Sequence, residues 1–150
     1  MRNLTAVPGS VLWLLEFNRW SIDNLRREAA ARGVDPARLV GAPLLALEQH
    51  LGRLGAADLF LDTWPYNAHT SASDALWAGL PVLTWPGDTF ASRVAGSLLR
   101  AAGLPELIAP SLEQYEALAV RLGREPAERA RLRAKLARNR GTSRESLPPR

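Results

Sequence analysis

The sequence predicts an α/β fold in which helices cover a parallel sheet. Short apolar runs recur along the chain, and polar loops and helical segments follow them. The alternation is clearest between Asp58 and Leu99, where strand, loop and helix occur twice in succession. This pattern is typical of parallel sheets with covering helices. Ligands of such sheets bind beyond the carboxyl ends of the strands, so we expect a functional site in the loops there.

The first third of the chain predicts a strand, a crossover helix and a second strand. Ser10–Leu15 is a continuous apolar run, which is typical of a strand buried on both faces. Ser21 can cap a helix over Ile22–Arg32, and Gly33 can end it. Leu39–Gly41 is expected to be a short strand. The buried stripe of the helix is expected to consist of Ile22, Leu25 and Ala29.

The middle of the chain repeats this arrangement after a short helix over Glu48–Leu54. Asp58–Asp62 is a short apolar run that ends in an acid, and Pro81–Thr84 is the next predicted strand. A polar loop follows each strand. Helices are then predicted over Ser71–Trp77 and Phe90–Leu99.

The last third predicts a short edge strand over Glu106–Ala109 and two helices. Ser111 has a glutamine three residues later, the spacing of a capping box, before the helix Leu112–Leu122. A proline then begins a helix over Ala127–Asn139. Residues 141–150 contain two prolines and few apolar side chains, so we expect a disordered tail there and one domain over residues 1–140.

The composition is that of a globular protein: 47% of the 150 residues are hydrophobic and 23% are charged. No run reaches the ~20 apolar residues that a membrane helix needs, so we expect no membrane partner. There is no cysteine, which excludes disulfides and thiolate metal sites. These features suit a cytoplasmic protein.

Basic residues are concentrated between Arg121 and Arg150. A basic helix can bind nucleic acid through phosphates. The alternative is a solvated helix face, and we favour it because no aromatic stacking platform accompanies the charges. We therefore expect no nucleic-acid partner.

The segment Asn67–Asp74, with the sequence NAHTSASD, could bind phosphate. It places Thr70 and Ser71 in the first turn of a helix, where backbone N–H groups lack partners and the helix dipole favours an anion. Asp74, one turn later, could accept hydrogen bonds from the hydroxyls of a ribose. Alternatively, Thr70 or Ser71 merely caps the helix.

His50 and Arg53 share one face of the predicted helix Glu48–Leu54. An imidazole and a guanidinium there could hold a flat base, but they could also be ordinary surface residues. Neither His50 nor His69 belongs to a metal-binding motif, and no Walker loop or glycine-rich dinucleotide motif is present. We expect no metal or other cofactor.

The run LFLDTWPYNAHTSASDALWAGLPVLTWPGDTFASRVAGSLLRAAGLPELIA resembles the carboxy-terminal catalytic region of the O-linked N-acetylglucosamine transferase family. The similarity is greatest to bacterial members with tetratricopeptide repeats. It extends back to VPGSVLWLLEF and forward through EQYEALAVRLG.

The resemblance implies the carboxy-terminal, donor-nucleotide half of a GT-B glycosyltransferase, which is Rossmann-like. The family transfers N-acetylglucosamine from UDP-N-acetylglucosamine to Ser or Thr hydroxyls of proteins, and the donor is its substrate rather than a cofactor. A UDP-sugar and an acceptor protein are thus the implied partners.

The resemblance also assigns site residues. His50 matches the family histidine beside the uracil, Arg53 matches the neighbouring arginine, and Leu45 falls where the family presents backbone to the uracil. The remaining matches lie in the helix start: Thr70 and Ser71 correspond to the residues that hold the diphosphate, His69 precedes them as in the family, and Asp74 corresponds to the acid that binds the ribose.

This sequence also departs from the family. Leu47 stands where animal members have a lysine near the ribose, and the amino-terminal catalytic half is absent from the sequence. No catalytic residue is therefore assigned, and we expect the chain to be inactive alone. A separately encoded amino-terminal half with tetratricopeptide repeats could complement it. The alternatives are a stand-alone nucleotide-sugar-binding module and a degenerate, non-functional gene fragment.

Overall fold

The computed structural model describes residues 1–16 and 18–145, and these form two compact units, residues 1–50 and the residues from 51 onward. The expected single domain over residues 1–140 stays a prediction.

The first unit contains helices α1 (Arg2–Ala6) and α2 (Arg19–Ala31) and strands β1 (Leu12–Leu15) and β2 (Leu39–Ala42). The two strands pair in parallel, with Leu12 opposite Leu39, as the crossover helix predicts. A cluster of buried apolar side chains lies between strands and helices: Leu4, Ile22, Ala29, Val34 and Leu39.

Two details of α2 differ from the predictions. The cap is Asn18 and not Ser21: the Asn18 side chain accepts a hydrogen bond of 2.9 Å from the backbone N–H of Ser21, so the helix begins one turn earlier. Leu25 was expected in the buried stripe but is 40% exposed. Gly33 does follow the end of the helix, with a φ of 70° that disfavours other residues.

The second unit contains most of α3 (Leu47–Leu54), then β3 (Phe60–Leu61), α4 (Thr70–Trp77), β4 (Val82–Leu83), α5 (Val94–Ala101), α6 (Leu112–Arg124) and α7 (Pro126–Glu145). Strands β3 and β4 pair in parallel, with Phe60 opposite Val82. Helices α4 to α7 all contribute fully or nearly fully buried side chains to one core, which includes Leu76, Leu99, Leu122 and Leu136. Alternating strands and helices therefore build an α/β unit whose two strands end at the loops before α4 and α5.

The predicted strand Glu106–Ala109 is wrong. Pro105–Leu107 forms a turn of 3-10 helix, since proline suits the first position of a helical turn. Only Ile108 pairs in a single parallel bridge with Thr84.

Helices α5 and α7 begin or end at other residues than predicted. Helix α5 begins at Val94 rather than Phe90, because Thr89 and Ser92 bond to each other in a turn. Helix α7 continues to Glu145, so the first half of the predicted disordered tail is helical, and residues 146–150 lie outside the described residues. In the part of the chain that the structure describes, no helix is both long and apolar enough to cross a membrane.

Candidate functional site

The amino end of α4 is open. Its N-cap is His69, whose side chain makes no capping hydrogen bond, and the next two residues, Thr70 and Ser71, are exposed. Within the described residues, no acceptor bonds to the backbone N–H groups of Thr70 and Ser71. Neither hydroxyl caps the helix, which excludes the alternative raised above. Two amides and two hydroxyls at the positive end of a helix are a suitable site for an anion.

His69 occupies the N-cap position, but its side chain does not cap α4 because its ring is bonded elsewhere. Its Nε2 lies 3.1 Å from the carbonyl oxygen of Ala91 in the loop before α5. Since a carbonyl only accepts, Nε2 carries the hydrogen. The ring stacks on Tyr66, with centroids 5.4 Å apart, and meets the ring of Phe90 edge-on at 6.1 Å. The histidine thus joins the two loops that follow β3 and β4.

Asp74 lies one helical turn after Thr70 and Ser71, on the same face of α4. Its side chain is half-buried, and no hydrogen bond to its carboxylate is found within the described residues. The carboxylate therefore remains available to accept hydrogen bonds from a ligand.

The loop between β3 and α4 is held by Asp62, which is only 5% exposed. Its Oδ1 accepts hydrogen bonds from the backbone N–H groups of Thr63 at 2.9 Å and Ala68 at 2.7 Å. Its Oδ2 accepts from Asn67 Nδ2 at 2.7 Å and from Thr84 Oγ1 at 2.6 Å. These four donors give both oxygens of the buried carboxylate hydrogen-bond partners.

Tyr115 of α6 supports the same residue from outside the loop. Its hydroxyl donates a hydrogen bond of 2.8 Å to the backbone carbonyl of Asp62. Burial, assisted by the negative charge of Asp62, raises the pKa of Tyr115 well above its ordinary value of 10. The hydroxyl thus stays protonated and remains a donor throughout the pH range of ordinary assays.

A small cavity of about 230 Å³ lies beside Asp62. Trp64 and Trp85 stack on each other at its wall, with ring centroids 5.1 Å apart. Gly87 makes this packing possible: a Cβ there would lie 3.0 Å from Trp64 Nε1 and 2.9 Å from the hydroxyl of Ser92. The tryptophans line this cavity.

Leu45 and His50 belong to the first unit and Arg53 to the second. Leu45 is half-buried in the segment before α3, and His50 and Arg53 are half-buried on α3 itself, one turn apart as predicted. The predicted residues His69, Thr70, Ser71 and Asp74 all lie in the second unit, where the structure brings them together at the start of α4.

The basic side chains of α7 bond to the ends of other helices. Arg129 donates to the carbonyls of Leu122 (2.5 Å) and Gly123 (3.1 Å) in α6. Arg133 donates to the carbonyl of Gly79, which follows α4. Carbonyls at helix ends lack partners and carry partial negative charge, so a cation stabilises them. Further contacts of α7 join Lys135 to Glu106, Asn139 to the carbonyl of Ala102, and Arg140 to the ring of Trp77.

The sequence analysis missed the residues that shape the loops: Asp62, Asn67, Thr84, Tyr115 and the carbonyl of Ala91. One signal was present, because the apolar run of β3 ends in an acid. An acid at the carboxyl end of a parallel strand lies where loops converge. Among the described residues there is no group of three or more side chains that could hold a metal ion.

Parallel strands, covering helices and loops converging at the strand ends place this chain in the α/β class with Rossmann-like architecture. Its residues 1–146 match the family described as "Glycosyl transferase family 41", and the chain therefore belongs to that family.

Two curated relatives and one solved structure show the range of the similarity. The chain is 44% identical over 133 residues to a UDP-N-acetylglucosamine–peptide N-acetylglucosaminyltransferase of Caenorhabditis elegans, which covers 89% of this chain and 12% of the relative. It is 44% identical over 120 residues to the probable UDP-N-acetylglucosamine–peptide N-acetylglucosaminyltransferase SEC of Arabidopsis thaliana, which covers 79% and 12%. A mutant of the Thermobaculum terrenum O-GlcNAc transferase superposes with a TM-score of 0.91 at 35% identity, over 97% of this chain and 28% of that one.

These similarities confirm the predicted resemblance and the predicted fold, the carboxy-terminal half of a GT-B glycosyltransferase. The chain spans only 12% of the length of each of the two curated relatives.

Proposed function

We propose that this chain is the donor-binding part of a protein O-glycosyltransferase that transfers N-acetylglucosamine from UDP-N-acetylglucosamine to Ser or Thr hydroxyls. Membership of family 41 and the names of the relatives support this activity. The observation that carries the proposal is the open amino end of α4, with two exposed hydroxyl residues and unbonded amides.

The diphosphate of the donor binds at this helix end. The N–H groups and hydroxyls of Thr70 and Ser71 donate hydrogen bonds to phosphate oxygens, and the helix dipole adds a favourable potential. Asp74 accepts hydrogen bonds from the ribose hydroxyls. His69 lies next to the phosphates, with its Nε2 hydrogen committed to the carbonyl of Ala91.

The uracil is bound by the backbone at Leu45 and by the side chains of His50 and Arg53. An imidazole can pack against the flat base, and a guanidinium can donate hydrogen bonds to its carbonyls. Leu47 has an apolar side chain and can make no polar contact with the nucleotide.

The chemistry that this chain supplies is stabilisation of the leaving group. When the bond between sugar and diphosphate breaks, negative charge grows on the β-phosphate, and donors already aimed at that position lower the barrier. Transfer also requires an acceptor hydroxyl aligned with the anomeric carbon. We propose that a separately encoded amino-terminal half with tetratricopeptide repeats supplies the acceptor side, in the cytoplasm of a bacterium.

Binding of UDP needs no metal in this proposal, because amides, hydroxyls and a helix dipole provide the positive potential. Adding EDTA to the chain is thus expected to leave the Kd for UDP unchanged. A loss of affinity that Mg²⁺ restores would contradict a metal-independent site.

Calorimetric titration with UDP tests the proposed function. We expect Asp74→Ala and His50→Ala each to weaken binding by about tenfold or more, since each leaves a ligand group without its partner. Matched controls are Asp58→Ala, an exposed acid before β3, and Gln49→Ala, an exposed neighbour of His50. Absence of UDP binding by a folded wild-type chain would instead support the degenerate fragment.

A further inference from the structure

Asp62 binds no ligand in the proposed function, yet its buried carboxylate accepts four hydrogen bonds. The four donors reported above come from the loop itself and from the neighbouring strand end. A buried carboxylate is costly unless such bonds compensate its desolvation. Asp62 therefore needs an explanation beyond packing.

The bonds of Asp62 fix where α4 begins. The backbone N–H of Ala68, which bonds to Oδ1 at 2.7 Å, lies two residues before Thr70. The N–H of Thr63, bonded to the same oxygen, fixes the other end of the loop. One carboxylate oxygen thus closes the loop between β3 and α4 at both ends.

The second carboxylate oxygen ties the loop to β4. Thr84, fully buried at the end of that strand, donates to Oδ2 at 2.6 Å. Asn67 donates from one Nδ2 to Oδ2, to Thr84 Oγ1 at 3.0 Å and to the carbonyl of Trp85 at 3.2 Å. The loop is therefore anchored to both strands.

We propose that Asp62 is a positioning residue for diphosphate binding, which rests on the proposed function of α4. Its carboxylate holds the loop so that the amides of Thr70 and Ser71 are aimed at the phosphates before the ligand arrives. Donors fixed in advance need no reorganisation when an anion binds. Asp62 itself touches neither UDP nor the sugar.

The change Asp62→Asn tests this role, because it keeps the shape and replaces an acceptor by an NH₂ group that faces donors. We expect the Kd for UDP to rise about tenfold or more. The Kd for uridine, measured by NMR titration, is expected to stay within about twofold, since uridine lacks the diphosphate. A merely structural role would weaken both ligands equally.

Asp58→Asn is the matched control, since it makes the same chemical change at an acid whose side chain is 77% exposed. Its affinities for UDP and uridine are expected to equal those of the wild type. If Asp62→Asn does not fold, Thr84→Val removes one donor to Oδ2 and is expected to weaken UDP binding only, by about threefold.

Three results would overturn the inference. The first is an unchanged affinity for UDP in the folded Asp62→Asn variant or, if that variant does not fold, in Thr84→Val. The others are an equal loss of affinity for UDP and uridine, and a loss of UDP affinity in Asp58→Asn as large as that in Asp62→Asn. Failure of the wild type to bind UDP would overturn the proposed function as well. This outcome is distinguishable from failure of the inference alone, because it is seen in the wild type without any variant.

Discussion

Asn67 shows how a single side chain can specify a loop. It is 1% exposed, and its Nδ2 donates to the Asp62 carboxylate, to Thr84 and to the carbonyl of Trp85. All three partners are acceptors, so the position requires an NH₂ group at this place. The amide oxygen, by contrast, has no partner within the described residues.

Asn67→Asp is therefore expected to destabilise the fold. It replaces a donor by a second carboxylate beside Asp62, which leaves two buried like charges, and we expect the free energy of unfolding to fall by about 2–4 kcal/mol. Urea denaturation measures the change. The same substitution at the exposed Asn24 is the control and is expected to alter the free energy by less than about 0.5 kcal/mol. Equal stability of the two variants would contradict the role of Asn67.

Some of these residue roles could not be predicted from the sequence. The residue types and spacing of Thr70, Ser71 and Asp74 place them at a helix start, while their roles toward a nucleotide were assigned from the resemblance to the family and stay a prediction. The partners of Asp62 include Thr84, which is 22 residues away. A contact between residues so far apart in the sequence cannot be predicted until the pairing of the two strands is known.

At the scale of elements, α7 acts on the other helices through its cations. Its apolar residues Leu132 and Leu136 are buried, and the neighbouring Arg129 and Arg133 reach carbonyls at the ends of α6 and α4. Several of the basic side chains that suggested a surface for nucleic acid or a solvated face, Arg129 and Arg133 among them, therefore have partners within the fold.

We expect Arg133→Met to lower the free energy of unfolding by about 1–2 kcal/mol, because the carbonyls of Gly79 and Ala57 lose a charged donor. Arg131→Met is the matched control on the same helix: its side chain is 75% exposed, and we expect a change below about 0.5 kcal/mol. Thermal unfolding of both variants compares them. A larger effect at Arg131 would show that surface charge, and not the helix ends, determines stability.

Lys135 and Glu106 give α7 a contact that depends on pH. Burial opposes ionisation of Glu106 most strongly of any single cause. The hydrogen bond from Lys135, 2.6 Å long, a backbone hydrogen bond and the positive charges of Lys135 and Arg131 together outweigh it, so the pKa of Glu106 lies below its ordinary value of 4.5. The ionised acid therefore stabilises the fold above about pH 4.5, and this contribution is lost as the pH falls through the lowered pKa.

Lys135→Met is expected to cost less than about 1 kcal/mol at pH 7, since both side chains are more than a third exposed to solvent. The difference from the wild type should shrink in urea titrations as the pH is lowered from 4.5 toward about 3. A difference that stays constant over this range would show that Lys135 contributes through packing and not through the charge of Glu106.

The approximate positions of the helices and strands could be predicted from the sequence more accurately than the residues at which they begin and end. Apolar runs and caps located α4 and α6, including the bond of 3.2 Å from the Gln114 N–H to Ser111. Pro105 was misjudged, because an apolar run after a proline suits a strand and a 3-10 turn equally. The start of α5 depended on hydrogen bonds between Thr89 and Ser92, which periodicity does not report.

At the scale of the whole molecule, the chain belongs to family 41 and spans a small part of the curated relatives. The proposed function assigns it the leaving-group side of glycosyl transfer. We accordingly expect the 150-residue chain to bind UDP but to transfer no sugar from UDP-N-acetylglucosamine to a Ser- and Thr-containing peptide. Mass spectrometry of the peptide detects transfer. A glycosylated product would contradict the proposal that the acceptor side is supplied by a separate half.

The most direct test of the central claim is an NMR titration of the chain with UDP. The open helix end predicts that the backbone amides of Thr70 and Ser71 shift strongly, while those of Leu112 and Glu113, at a helix start capped by Ser111, stay in place. Uridine alone should leave the amides of Thr70 and Ser71 nearly unmoved. Equal shifts at both helix starts, or none at α4 when UDP is bound, would contradict the account.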